Sequence, residues 1–162
     1  MYREGLVLGF SLGGGTIATK DCPNVCGGAG MGEFHLGAMM NPRLALMGDF
    51  WLGARTFNDP TLGTGSMFNS ISTLALQYWV TDIIWLKGGA GFGRRQVFVD
   101  DSSGTFSTSI DDRTAPALMG AVGLEIVQAF NFALDLQFRV GTGFYSDISS
   151  TNVAFMVGFN WY

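Results

Sequence analysis

The 162-residue chain is short of several things, and each shortage narrows what it can be. It has no run of 18–20 apolar residues, which excludes an ordinary transmembrane helix. The charge-poor stretch 60–81 contains "PTLGTGSMFNSIS", which is too polar to span as one. Charged residues are only 14% of the chain, and the net charge of −4 with no dense basic patch argues against a nucleic-acid partner, whose phosphates are met by Lys and Arg. There is one histidine and there are two cysteines, so histidine- or cysteine-rich metal sites have few ligands to draw on.

What is present is glycine and hydrophobic alternation. Twenty-four glycines are about twice the share of an average globular chain. Helices tolerate glycine poorly, whereas closed sheets use it where strands bend or crowd. In "NFALDLQFRVGTGFY" (131–145), Phe132, Leu134, Leu136, Phe138 and Val140 alternate with Ala133, Asp135, Gln137, Arg139 and Gly141. That is the period of a strand with one apolar and one polar face. The pattern recurs eight times, predicting strands near 4–13, 29–40, 44–56, 67–80, 83–99, 114–127, 131–145 and 151–162.

The opening "MYREGLVLGFSLGGGTIA" loosely imitates a secretory signal, but Glu4 and its alternation mark it as the first strand. The expectation is that an export signal has already been removed. Connections near 41–43, 81–82 and 129–131 are short, and those near 14–28, 57–66, 100–113 and 146–150 are longer and polar. Short turns at one end and long loops at the other describe an eight-stranded antiparallel up-and-down transmembrane β-barrel, one domain over 1–162, with both ends of the chain on the turn side.

Charge decides which face points out. Glu33, His35, Asp49, Arg55, Lys87, Arg95, Glu125, Asp135 and Arg139 share the less apolar face with Gln137 and many glycines. In lipid, each Arg or Lys near the midplane costs about 2–4 kcal/mol. Glycine also suits the narrow bore of eight strands. The polar face is therefore expected inside, as a lumenal network. A soluble lipocalin-like binder is the inverted alternative.

Buried charges must be paired. Asp135 and Arg139 are four residues apart on one strand, about 13 Å and too far to meet. A turn centred on Pro42 sets His35 opposite Asp49, giving one expected pair. Lys87 with Glu125 is the second, and Arg139 with Glu33 across the bore a third. Trp79 and Trp85 fall on the inward phase and are expected to plug the short-turn end, or to join the aromatic girdle if the register drifts. Tyr78, Phe159 and Trp161 are girdle candidates. Cys22 and Cys26, in "CPNVC", are expected to form a short disulfide in an oxidising compartment, with free thiols or a metal pair as the alternatives.

The chain resembles the OmpA/OmpX-like eight-stranded outer-membrane β-barrels along its whole length. The most specific match is "VAFMVGFNWY", where Phe155, Val157, Phe159 and Trp161 keep the spacing of the C-terminal strand that insertion machinery reads; Tyr162 follows one residue beyond the usual terminal aromatic. The resemblance implies residence in the bacterial outer membrane, contact with its lipid and lipopolysaccharide, engagement with the barrel-insertion machinery and a monomer without the periplasmic peptidoglycan-binding domain of larger members. It also admits lipid A-modifying enzymes. "EFHLG" lacks a neighbouring serine, "GGAGFGRR" (88–95) runs through a strand with no helix to complete a phosphate loop, and "DDSSGTFSTSIDD" lacks EF-hand spacing. No enzyme, cofactor or metal is expected. The leading expectation is a filled barrel with a structural or surface-interaction role through its loops, its extracellular ligand not named by the sequence. A narrow porin-like channel is the alternative.

Overall fold

A computed structural model describes residues 3–19, 28–59, 63–100, 107–146 and 149–162. Cys22 and Cys26 lie outside the described residues. The eight strands are β1 (Leu6–Thr19), β2 (Gly28–Asn41), β3 (Leu44–Asp59), β4 (Gly63–Trp79), β5 (Ile84–Asp100), β6 (Ser107–Gln128), β7 (Phe132–Phe144) and β8 (Ser149–Trp161). Each pairs antiparallel with its sequence neighbour, and β1 closes the sheet on β8. No helix among the described residues is long and apolar enough to cross a membrane, which says nothing about crossing by strands.

The short turns follow from local side-chain chemistry. In the β2–β3 turn, Asn41 Oδ1 accepts the Arg43 backbone N–H at 2.9 Å. In the β4–β5 turn, Thr81 Oγ1 accepts the Ile84 N–H at 3.0 Å. Both are local mimics of turn hydrogen bonds. At the other end the strands run further than alternation alone marked: β1 continues to Thr19 and β6 begins at Ser107. Glycine-, serine- and threonine-rich sequence hides the period there, while pairing with β2, β8 and β5 keeps the backbone extended.

The staggered ends leave β3–β6 projecting beyond the other strands among the described residues. β6 meets β7 only from Ala117 onward, where it pairs with Gly143. Its residues 107–116 have only β5 as a strand neighbour among the described residues. On the outer face of this projection, Arg94 and Asp112 form an ion pair at 2.6 Å.

The outer wall is apolar between the projection and the short turns. Leu6, Phe34, Leu74, Phe92, Leu118 and Phe155 are all exposed. On β7 the outward set is Phe132 to Val140, roughly 20–25 Å at the usual rise and tilt of a barrel strand. Phe10 stacks on Phe159 at 5.0 Å outside the seam where β8 meets β1, and Phe132 of β7 approaches Trp161 of β8 at 5.3 Å. Tyr78 is also outward.

Inside, glycine makes room for its neighbours rather than for solvent. A Cβ on Gly141 would stand 2.7 Å from Ile71 Cδ1 and 2.8 Å from Trp51 Cζ3. One on Gly123 would collide with the Trp85 indole, and one on Gly9 with the His35 ring. Large side chains from one strand thus lie over the bare backbone of another. Gly141→Ala is expected to destabilise by about 1–3 kcal/mol through overpacking. Gly88→Ala, whose added Cβ meets nothing within 4 Å, should be near neutral. Urea titration of the two variants checks the contrast.

Candidate functional site: the buried polar lumen

The bore is filled in layers. At mid-height, Glu33 from β2, Asp49 from β3, Lys87 from β5 and Arg139 from β7 point inward and are buried. Alternation puts each on the inward phase, and the closed sheet brings the four strands around one small space. Arg139 Nη2 donates to Asp49 Oδ2 at 2.6 Å, and its Nη1 lies 3.1 Å from Glu33 Oε1. Lys87 Nζ donates to the same two carboxylates, at 3.1 Å to Asp49 and 3.4 Å to Glu33. Two carboxylates facing two cations form a neutral set, which burial requires. Ser11 Oγ donates to Glu33 Oε2 at 2.6 Å, and Gln137 Nε2 donates to Ser11 Oγ at 2.9 Å.

His35 and Asp49 are register partners, but the ring does not bond Asp49. His35 Nδ1 stands 2.7 Å from Glu33 Oε1, two residues along its own strand. Gly9 leaves space on the β1 side for the ring, while Asp49 is engaged by Lys87 and Arg139. The expected Lys87–Glu125 pair is replaced by the contacts of Lys87 with Asp49 and Glu33. Lys87 aligns with Ala121 on β6, four residues from Glu125, so the two charges occupy different levels.

Glu33, His35 and Asp49 bring three possible metal ligand atoms within 4.8 Å of one another. Their chemistry does not favour a divalent ion, which would enter beside two fixed cations already neutralising both carboxylates. Among the described residues no serine completes a nucleophile–His–acid arrangement: the Ser11 hydroxyl donates to Glu33.

Toward the long loops, Trp51 and Ile71 pack with Met31, Met119 and Met156. The Trp51 ring lies 5.4 Å from the Arg139 guanidinium, capping the charged layer. Above it Asn69 Nδ2 donates to Ser150 Oγ and Asn152 Oδ1. Arg55 and Arg95 are half-buried on the inward phase nearer the long-loop end, beyond Trp51, and so stand apart from the mid-height layer.

Toward the short turns, Trp85 Nε1 donates to Asp135 Oδ2 at 3.0 Å, Asn160 Nδ2 to the same oxygen at 2.9 Å, and Gln137 Nε2 to Oδ1 at 2.8 Å. Three neutral donors hold this carboxylate. Its register partner on β6, Glu125, accepts from Trp79 Nε1 at 2.8 Å, Tyr162 Oη at 2.9 Å, Gln128 Nε2 at 2.6 Å and Arg3 Nη2 at 2.6 Å. Tyr162 therefore turns inward, edge-on to Trp79 at 5.6 Å, while Trp161 keeps the outward phase. That parity explains why Trp161, not Tyr162, continues the outward series from Phe155.

Arg3 and Trp51 were not singled out from sequence. Arg3 has the parity of Val7, Gly9 and Ser11, which was the available sign that it points inward. Trp51 sits on the charged stripe, but nothing local shows that it spans toward Gly141 on the opposite wall.

No protein-family model matches the chain, and no curated protein matches it. Solved structures do. Ail, the attachment invasion locus protein of Yersinia pestis, in a crystal structure with the heparin analogue sucrose octasulfate, is 18% identical, with 98% of this chain and 99% of that one covered at a TM-score of 0.67. Neisserial surface protein A is 12% identical, with 99% of each chain covered at 0.68. OprG from Pseudomonas aeruginosa is 13% identical, with 99% and 96% covered at 0.57. The chain has the fold of eight-stranded outer-membrane barrels.

Asp49→Asn removes one of the two anions contacted by both cations at mid-height. It is expected to destabilise the barrel by about 3–5 kcal/mol, the usual cost of breaking a buried pair. Adding Lys87→Gln should recover part of that loss in a double-mutant cycle read by urea-induced unfolding.

Proposed function

We propose that the protein is an integral outer-membrane barrel whose bore is filled, and that it serves a structural or surface-interaction role through its extracellular end. The carrying observation is the closure of the lumen by side chains at three levels: Trp51 and Ile71 above, the Glu33–Asp49–Lys87–Arg139 set in the middle, and Trp85, Trp79 and Tyr162 below. A path for solute would have to separate buried ion pairs as well as aromatic packing.

The membrane reading is supported by the outer wall, where exposed leucine and phenylalanine would be costly in water and are at home in hydrocarbon. On this reading the short turns are periplasmic, Tyr78 and Trp161 lie near that interface, and lipid and lipopolysaccharide surround the wall. The C-terminal strand carrying Phe155, Val157, Phe159, Trp161 and Tyr162 would be the part offered to the insertion machinery.

The surface role is supported by the projection of β3–β6. It carries the edge of β6 at 107–116, which among the described residues has β5 alone as a strand neighbour, and an extended segment of another protein can add there as a strand. The similar Ail structure is a complex with the heparin analogue sucrose octasulfate. A non-enzymatic reading fits the ion-pair contacts that Glu33, His35 and Asp49 already make with one another and with Lys87 and Arg139.

The channel alternative rests on the glycine-rich lumenal stripe, and the indole, imidazole and carboxylate groups lying over those glycines weigh against it. Reconstituted protein should show heat-modifiable gel mobility and no stepped conductance in planar bilayers. Regular open-channel steps would replace this reading with the pore. Shortening the projecting hairpin between Val97 and Asp111 should leave membrane insertion unchanged, because the lumenal layers lie below that level; loss of insertion would tie the projection to the barrel's own folding.

A further inference from the structure

Residues 3–5, ahead of β1, turn beneath the bore. Gly5 has φ +76°, a left-handed conformation that glycine adopts without strain, and its carbonyl accepts the Met39 N–H at 2.8 Å. This turn delivers Arg3 to the floor, where it is 5% exposed. Its Nη2 donates to Glu125 Oε2 at 2.6 Å and to the Asp82 carbonyl at 2.7 Å. The guanidinium also lies 4.7 Å from the Trp79 ring and 5.6 Å from that of Tyr162.

The floor has an electrostatic problem that this placement answers. Glu125 and Asp135 are direct register partners on β6 and β7, so two carboxylates stand side by side. Like charges directly opposite on a sheet repel. Asp135 is held by neutral donors, and Lys87 is committed to the mid-height layer. Arg3 is the cation that contacts this carboxylate pair among the described residues. A bulge between Glu125 and Val127 shifts the β6 register at the same point.

We propose that Arg3 is a latch: it neutralises the Glu125 side of the carboxylate pair, ties the segment before β1 to β4, β6 and the residue after β8, and so holds shut both the floor and the β1–β8 seam. Without it Glu125 is a buried anion facing only neutral donors, and the aromatic lid formed by Trp79 and Tyr162 loses the plane it packs against.

The test uses the full chain in detergent micelles with Cys22→Ser and Cys26→Ser, and with Ala75→Cys as a reporter buried above Trp79. Arg3→Ala should raise the rate of maleimide labelling at position 75 by about tenfold or more, since local opening governs access to a buried group. It should also speed unfolding, followed as loss of the fast-migrating band at fixed temperature. Glu125→Gln in the Arg3→Ala background should slow that unfolding again, because the uncompensated charge is gone. Arg3→Lys, which keeps charge but lacks the planar fork, should fall between wild type and Arg3→Ala, and it carries the labelling measurement if Arg3→Ala does not fold. Equal labelling with and without Arg3, or an Arg3→Ala/Glu125→Gln protein that unfolds as fast as Arg3→Ala alone, overturns the latch.

Discussion

Glu33 and Asp49 share Lys87 and Arg139 in the middle of a closed sheet, and the rest of the interior is arranged around that mutual neutralisation. Each of these ions alone would be intolerable at such burial, and the pairs repay desolvation only with good geometry and additional hydrogen bonds. Ser11, His35 and Gln137 supply or relay those bonds, and Trp51 covers the Arg139 guanidinium. The set ties β2, β3, β5 and β7 across the bore, whereas sheet hydrogen bonds tie only neighbours.

The barrel is in this sense an inverted globule. Its polar groups are concentrated in a packed centre and its large apolar side chains cover the outside. Size is what makes this possible: eight strands enclose a bore that side chains can fill, and glycine on one wall admits tryptophan from another. Packing and electrostatics are therefore one problem here. Trp85 illustrates it, since its indole lies over Gly123, donates to Asp135 and faces the Lys87 ammonium at 5.4 Å. The same filling places side chains from several strands across the bore at mid-height and toward both ends.

Much of the architecture was legible because its causes are local or nearly so. The alternation of Phe132–Val140 against Ala133–Gly141 identifies a two-faced strand, and the short "NPR" and "TD" connections fix which strands are neighbours and in what register. His35 opposite Asp49 follows directly from that turn. The hydrogen bond of His35 does not, because it depends on Gly9 from β1 and on the prior claims of Lys87 and Arg139 on Asp49. Lys87 with Glu125 failed for the same kind of reason: strand neighbours were identified correctly, but the long Lys87 side chain reaches across the bore instead of along the wall. Arg3 shows a third case, in which parity was present in the sequence but a turn at Gly5 was needed to carry the side chain under the floor.

The sequence by itself determined the strands, their order, their two faces and the sign of the apolar surface, since strand period, turn length and the cost of charge in hydrocarbon act on contiguous residues. Only the tertiary structure decided which buried charges share partners, which glycines lie beneath which aromatic rings, that Tyr162 points in while Trp161 points out, and how far β6 projects beyond β7. Those outcomes depend on closure, which places side chains from non-neighbouring strands within a few ångströms of one another, and no local pattern encodes a distance across the bore.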